Sequence, residues 1–321
     1  MQGNLYCSRC LRIGAVLICN LALLGLLTPS VLVLFAYAPS FGVRNDNLIE
    51  QLLLIALYAA SFVLPVGLYF LLSRGEGETW GSQWSRVPGR AVWLIFASLA
   101  VITSAAYLNQ YFVGLLELIG LPSASADTAL YFFFPEDAVL VHISLVLVPA
   151  FCEELLFRGV ILDRLLPYGK TAAILISAFT FGLMHGSFSQ LFFATVAGIM
   201  LGLCYTETGS IWPGVIVHML NNLWSYLAQY WYEWSSYNDE LQYNLLILLP
   251  LLFVGSLGAI HLLAYGEKNV GETPTTFAAY GRRIPLADAI RTFCTSPTVI
   301  VYFVLAVGML LITTLQNFGL Q

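Results

Sequence analysis

The sequence predicts an all-α protein, a polytopic transmembrane helix bundle with about nine spans and a cytoplasmic N-terminus. Of the 321 residues, 59% are hydrophobic and 10% are charged, whereas a soluble domain carries roughly 25% charged residues. Runs of about 20 apolar residues, each able to cross roughly 30 Å of hydrocarbon, recur along the chain. They are too long for strands and lack an alternation of period two, so they predict helices, which satisfy their own backbone in lipid.

The predicted spans follow one another with polar connections of varied length. They cover residues 13–38, 51–73, 91–119, 137–166, 171–185, 188–206, 211–230, 243–265 and 298–315. Pro29, Pro65 and Pro149 fall inside the first, second and fourth spans, where a proline removes a backbone hydrogen bond and kinks a helix. The first run is long for the core of a cleavable signal, and no small-residue cleavage site follows it, so we interpret it as a retained span.

The placement of basic residues predicts the orientation of the bundle in a cell membrane. With the N-terminus inside, most Lys and Arg residues fall on the cytoplasmic side, as the positive-inside rule expects. These residues are Arg9, Arg12, Arg74, Arg86, Arg90, Arg164, Lys170, Lys268, Arg282, Arg283 and Arg291. Arg44 falls outside, and the outer segments carry acids: Asp46, Glu50, Asp127, Glu136, Glu233, Asp239 and Glu240. Trp and Tyr residues between 224 and 237 fit an aromatic belt at the outer interface. We expect membrane lipid, and no nucleic acid, as a partner.

Two terminal features are interpreted as structural. Residues 266–297 form the longest polar stretch and predict a cytoplasmic linker, partly an amphipathic helix on the inner leaflet. Cys7 and Cys10 have the spacing of half a zinc site, but no second pair completes it. The six cysteines are scattered and indicate no disulfide framework.

The fourth span contains ionisable residues, each of which costs about 2.5–3.5 kcal/mol to insert and is a functional candidate by default. Glu154 and Arg158 are four residues apart, share a helix face and are expected to pair. Glu153 lies about 100° around the helix, without a local partner. A carboxylate in a medium of low dielectric takes up a proton more readily than in water, so Glu153 is a candidate general base.

Two later spans contain imidazoles. The fifth ends at His185, and the seventh holds His218 and Asn222, four residues apart on one face. Small residues beside them permit close helix approach: Gly182, Gly186 and Gly214. No Ser or Cys stands with a base and an orienting acid. A carboxylate with a histidine can deprotonate water, and a second histidine with an amide can donate to an oxyanion, so the set predicts amide hydrolysis by water.

These residues form three motifs, Glu-Glu-x-x-x-Arg, Phe-x-x-x-His and His-x-x-x-Asn. Their members are Glu153, Glu154 and Arg158, then Phe181 and His185, then His218 and Asn222. In this order the motifs resemble those of the type II CAAX prenyl endopeptidase and bacteriocin-processing (CPBP, or Abi) intramembrane proteases. The resemblance covers about residues 137–235, which we treat as a CPBP-like protease core between N-terminal helices (1–136) and C-terminal helices (236–321).

The resemblance implies an endopeptidase that acts on a membrane-associated peptide or a lipidated protein. In the family pattern, Glu153 would activate water with the help of His185, and His218 and Asn222 would form an oxyanion hole. The supporting residues that it implies are Glu154, Arg158 and Phe181, the last expected mainly to pack.

Two questions stay open in the sequence. Glu153, His185 and His218 could hold zinc with water as a fourth ligand. However, no HExxH motif is present, and we favour a site without metal. Counting about 1.5 Å per residue, His185 lies deeper from its inner helix end than Glu153 or His218. The fifth span is therefore expected to tilt, to start later, or to break near Gly182.

Two other classes of function compete with a protease. A non-catalytic membrane scaffold or bacteriocin-immunity protein could use the same bundle, although a pure scaffold would be free to lose costly buried charges. An ion-coupled transporter also carries buried Glu, His and Arg. It would be expected to show repeat symmetry and paired broken helices, and the sequence shows neither.

Overall fold

The computed structural model describes residues 2–37, 47–74, 84–89, 91–120, 143–234, 240–266 and 284–319. These residues are almost entirely helical, and the single β contact among them is an isolated antiparallel bridge between Trp84 and Ser210. Five helices in this part of the chain are long and apolar enough to cross a membrane: Asn4–Leu26, Leu48–Leu72, Ala91–Leu118, Phe188–Thr208 and Pro297–Gln316. The predicted fold class, an all-α membrane bundle, is confirmed. The count of nine spans and their orientation stay predictions.

The first three helices are α1 (Gln2–Tyr37), α2 (Asn47–Leu72) and α3 (Ala91–Leu118). Helix α4 is composite, with a π-helical turn (Ile143–Leu147), an α-helical stretch (Val148–Leu156), a second π-helical stretch (Phe157–Leu162), an α turn (Asp163–Leu165) and a 3-10 turn (Leu166–Tyr168). The remaining helices are α5 (Lys170–Met184), α6 (Phe188–Thr208), α7 (Trp212–Trp234), α8 (Glu240–Gly266), α9 (Leu286–Cys294) and α10 (Pro297–Gly319).

Several sequence predictions fall beyond the described residues. They concern residues 137–142 of the fourth span, 267–283 of the linker, and the charged residues Arg44, Asp46, Arg90, Asp127, Glu136, Asp239, Lys268, Arg282 and Arg283.

Helix α4 lies in the middle of the bundle. It packs against α2 on one side and against α5, α6 and α7 on the others, while α5 and α6 pair along much of their length. Helix α1 packs against α2 and α10 beside α4 and α5, and α3 packs against α8, α6 and α7. The largest apolar cluster joins α1, α2, α4, α5 and α10, and a smaller one joins α3, α6 and α7. Side chains of α4 are thus surrounded by protein on most sides.

Two glycines set the spacing of α5 and α6. A Cβ on Gly198 would lie 2.8 Å from Cα of Ala178, and one on Gly182 would lie 2.3 Å from Oγ1 of Thr195. Both distances are shorter than real contacts, so only glycine permits this approach. Helix α5 runs through Gly182 without a break and ends at Met184. The expected alternative of a break near Gly182 is therefore wrong.

The N-terminal helix begins much earlier than its apolar run suggested, at Gln2 rather than near residue 13. Tertiary contacts explain the extension, because the hydroxyl of Tyr6 donates to the carbonyl of Ala289 in α9 at 2.9 Å. Arg9 donates to the carbonyl of Arg164 at 3.0 Å. The predicted amphipathic helix of the linker is present as α9, and its buried side, with Ala289 and Phe293, packs onto the protein.

Candidate functional site

The tandem acids and the arginine lie where α4 changes from α-helical to π-helical geometry. Nη1 of Arg158 donates to Oε1 of Glu154 at 2.7 Å, and both side chains are fully buried. This is the pair that the spacing predicted. Nη2 of Arg158 donates to the carbonyl of Gly198 in α6 at 3.0 Å, and the guanidinium lies 4.6 Å from the centre of the Phe181 ring. A π-helical turn is rare and is often found at functional sites.

Glu153 points away from this pair, as the 100° rotation predicted. The hydroxyl of Tyr58 in α2 donates a hydrogen bond to its Oε1. Its Oε2 lies 3.8 Å from Nε2 of His218 in α7. That oxygen is buried and accepts no hydrogen bond from the described residues. One carboxylate oxygen is therefore held by an adjacent helix, and the other faces an imidazole at more than hydrogen-bonding distance.

His218 lies between the two acids. Its Nδ1 is 3.3 Å from Oε1 of Glu154, and its Nε2 faces Glu153. An ionised carboxylate can only accept, so with Glu154 ionised and the ring neutral, Nδ1 would carry the proton and Nε2 would be an acceptor. Gly214, one turn earlier on α7, leaves the room for this arrangement, because a Cβ there would lie 2.8 Å from Oε2 of Glu154.

His185 reaches the same cluster through Phe181. The Phe181 ring is 4.9 Å from the His185 ring and 5.8 Å from the His218 ring, centre to centre. Nδ1 of His185 lies 2.8 Å from the carbonyl of Phe181. Because a carbonyl only accepts, Nδ1 of His185 donates and Nε2 stays available. Within the part of the chain described, His185 makes no hydrogen bond or ion pair with either glutamate.

Asn222 lies one turn beyond His218 and faces the start of α4. Its side-chain nitrogen donates to the carbonyl of Leu145, in the first π-helical turn, at 3.3 Å. The structure thus brings Glu153, Glu154, Arg158, Phe181, His185 and His218 into one connected cluster. Asn222 borders this cluster, with its amide on the backbone of α4.

The same geometry bears on the candidate zinc ligands Glu153, His185 and His218. Among the described residues, no three His, Cys, Asp or Glu side chains form a group that could hold a metal ion. Glu153 and His218 approach each other at 3.8 Å, whereas His185 connects to them through its ring contact with Phe181. The three candidate ligands thus form no metal site among the described residues.

Sequence reasoning missed Tyr58. The tyrosine lies 95 positions before Glu153, in an apolar run that contains no motif. The chain has 17 tyrosines, and nothing in the local pattern distinguishes this one. The only available signal was general: a tyrosine hydroxyl usually finds a hydrogen-bond partner when it is buried.

Comparisons with known proteins agree with the motifs. Residues 135–224 match the family model of the type II CAAX prenyl endopeptidase Rce1-like family. A curated relative from Bacillus subtilis (strain 168), named "Putative membrane peptidase YdiL", is 28% identical over 129 residues, which are 39% of this chain and 52% of the relative. The chain thus spans about half the length of this relative. No solved structure matches the chain significantly.

The matched segment contains α4 to α6 and the site-bearing half of α7, and with them every residue of the three motifs. The other helices, including α2 with Tyr58, lie outside the matched residues. The predicted resemblance is confirmed: this chain is a membrane protein whose residues 135–224 are similar to the type II CAAX prenyl endopeptidases of the CPBP family.

Proposed function

We propose that this protein is an intramembrane endopeptidase in which Glu153 activates water for attack on a peptide bond. One observation carries the proposal, the facing of Oε2 of Glu153 and Nε2 of His218 at 3.8 Å in a buried cluster. With Glu153 ionised and His218 neutral, both atoms are acceptors. Two acceptors too far apart to bond each other suit a water that donates one proton to each.

The proposed reaction is general-base hydrolysis. Glu153 takes a proton from water while the water oxygen bonds to the scissile carbonyl carbon. The proton then passes to the leaving nitrogen as the C–N bond breaks and the oxyanion re-forms the carbonyl, which yields a carboxylic acid and an amine. This sequence needs no side-chain nucleophile and no oxidant or reductant.

The geometry favours a division of roles that differs from the family pattern. His218 contacts Glu153 and is the better candidate to share the water, and its Nδ1 is fixed by Glu154. His185 offers Nε2 for proton transfer to the leaving group. The second N–H of the Asn222 amide, beyond the one given to Leu145, is a candidate donor to the oxyanion.

Glu154 and Arg158 support this arrangement instead of reacting. Their charges compensate one another, and together they connect α4 to His218 of α7 and to the Gly198 carbonyl of α6. Phe181 separates the two imidazoles and covers the guanidinium.

For the substrate, we propose a peptide or lipidated protein segment that reaches the site from the membrane. The family name describes prenylated CAAX tails, and the burial of the cluster among apolar helices fits a substrate with a lipid-soluble part. Multi-pass insertion in the cell membrane is part of the same proposal.

The experiment compares purified wild type with Glu153→Gln on a library of internally quenched peptides that includes lipidated members. We expect cleavage to fall about 10²- to 10⁴-fold, the usual contribution of a general base. The matched control is Glu207→Gln, which removes an exposed carboxylate paired with Lys170 at the end of α6 and should cleave like wild type.

Two outcomes contradict the proposal. If Glu153→Gln cleaved at the wild-type rate, Glu153 would not be the general base. Full biological function of Glu153→Gln in cells would favour a scaffold. Comparing His218→Ala with His185→Ala then assigns the imidazoles: the proposal expects the larger loss in kcat from His218→Ala.

A further inference from the structure

Tyr58 connects the site to a helix outside the family-matched segment. Its hydroxyl donates to Oε1 of Glu153, the acid proposed to activate water. Residues 135–224 supply the other hydrogen bonds and ion pairs that the described residues make with the two acids. Through this contact, α2 helps to hold Glu153, the proposed base on α4.

The position of Tyr58 is fixed by its own helix and by α1. Oγ of Ser61 donates to the carbonyl of Tyr58 at 2.7 Å, and the amide of Asn20 in α1 donates to the carbonyl of Ser61 at 2.8 Å. Asn20 is 1% exposed, and the ring of Phe62 lies 5.1 Å from that of Tyr58. The turn of α2 that carries the phenol is thus held in place by hydrogen bonds and by packing.

The two oxygens of Glu153 have different surroundings because of this bond. Oε1 accepts from Tyr58, while Oε2 faces His218. A donor on one oxygen restricts the rotation of the carboxylate. This restriction suits a base whose second oxygen must face the water.

We propose that Tyr58 is a positioning residue, which holds the Glu153 carboxylate turned so that Oε2 faces the water and His218. The proposal rests on the proposed function, since it assigns Tyr58 a role through Glu153. It extends the site beyond the matched segment to α2.

Two ionisable groups of other helices face Glu153, namely Tyr58 on α2 and His218 on α7. Cys152 and Arg158 of α4 lie near it without a hydrogen bond to it. Within the described residues, α5 and α6 add no ionisable contact to Glu153 itself. Removing the phenol hydroxyl therefore withdraws a donor from Glu153 and leaves every charge in place.

The test is Tyr58→Phe, measured on the best-cleaved peptide of the quenched library. We expect kcat to fall about 10- to 100-fold with KM unchanged, the range for losing one hydrogen bond to a charged group. The acidic limb of the pH profile should move to higher pH, because a carboxylate that loses a donor is protonated more readily.

The matched control is Tyr205→Phe. Its hydroxyl donates to Oδ1 of Asp163 at 2.7 Å, which is also a tyrosine–carboxylate bond between two helices, but ten residues along α4 from Glu153. It should leave kcat and the pH profile unchanged. Equal effects of the two variants, or an unshifted acidic limb in Tyr58→Phe, would overturn the positioning role.

A second measurement does not depend on cleavage. The infrared difference between wild type and Glu153→Gln identifies the carboxyl band of Glu153, whose titration midpoint should rise in Tyr58→Phe. An unchanged midpoint overturns the inference. Failure of the proposed function shows separately, as cleavage that survives Glu153→Gln while the infrared shift is still seen.

Discussion

The segment from α4 to α7 and the helices around it use polar side chains differently. In the segment, the fully buried side chains of Arg158 and Glu154 pair within α4, and His218 of α7 contacts Glu154. In the surrounding helices, neutral donors bind backbone carbonyls, as Asn20 does at Ser61 and Thr298 at Leu11, beside partly buried arginines such as Arg9. Charged groups in a bundle depend on their partners, whereas a neutral hydrogen bond contributes little. The difference teaches that, among the described residues, the buried charged side chains lie in the segment that carries the site.

The strongest test of this contrast is Arg158→Met, which leaves Glu154 as a buried charge with less compensation. We expect a loss of about 3–5 kcal/mol in the free energy of unfolding, the range for removing one partner of a buried pair. Unfolding in detergent micelles measures it. The double variant Glu154→Gln with Arg158→Met should recover much of the loss, and a single variant as stable as wild type would contradict the contrast.

A smaller effect is expected at the contact of α5 with α6. Gly198→Ala places a methyl group 2.8 Å from Cα of Ala178, and overpacking of this kind costs about 1–3 kcal/mol. Gly67→Ala on α2 is the control, because a Cβ there meets nothing within 4 Å. The same unfolding assay should separate the two, and equal stabilities would show that the helices move apart without cost.

The smallest effect belongs to Asn20→Leu in α1. It removes the amide donor to Ser61, and such interhelical hydrogen bonds in membranes average about 0.6 kcal/mol. Stability should change by about this amount, and kcat should fall less than in Tyr58→Phe, because the phenol itself remains. If Asn20→Leu lowered the free energy of unfolding as much as Arg158→Met does, polar contacts in the surrounding helices would matter as much for stability as those of the site, which would contradict the contrast.

Local chemistry made part of the site predictable. The pairing of Glu154 with Arg158 and the separate direction of Glu153 follow from helical geometry alone, and both are seen. The fold class followed as directly, because the apolar runs admit only helices in lipid.

Long-range packing decided what could not be predicted. Tyr58 meets Glu153 because α2 packs on α4, and no spacing in the sequence encodes that contact. The early start of α1 depends on Tyr6 meeting Ala289, 283 positions away. The apolar pattern predicts only the part of a helix that lies in lipid. It does not predict helical turns that are stabilised by protein contacts alone.

The π-helical stretches of α4 also determine what a one-residue deletion in this helix would do. The stretch Val148–Leu156, with both acids, lies between two π-helical stretches, each of which accommodates more residues per turn than an α-helix. Deleting one residue of a π-helical stretch would let the backbone relax to ordinary winding, and the flanking turns would keep nearly the same direction. Deleting Leu155, in the α-helical stretch between Glu153 and Arg158, would instead rotate one side of the deletion by about 100° relative to the other. Glu153 and Arg158 could then no longer both meet their partners, so deletions in the α-helical stretch should be more harmful than deletions in the π-helical stretches.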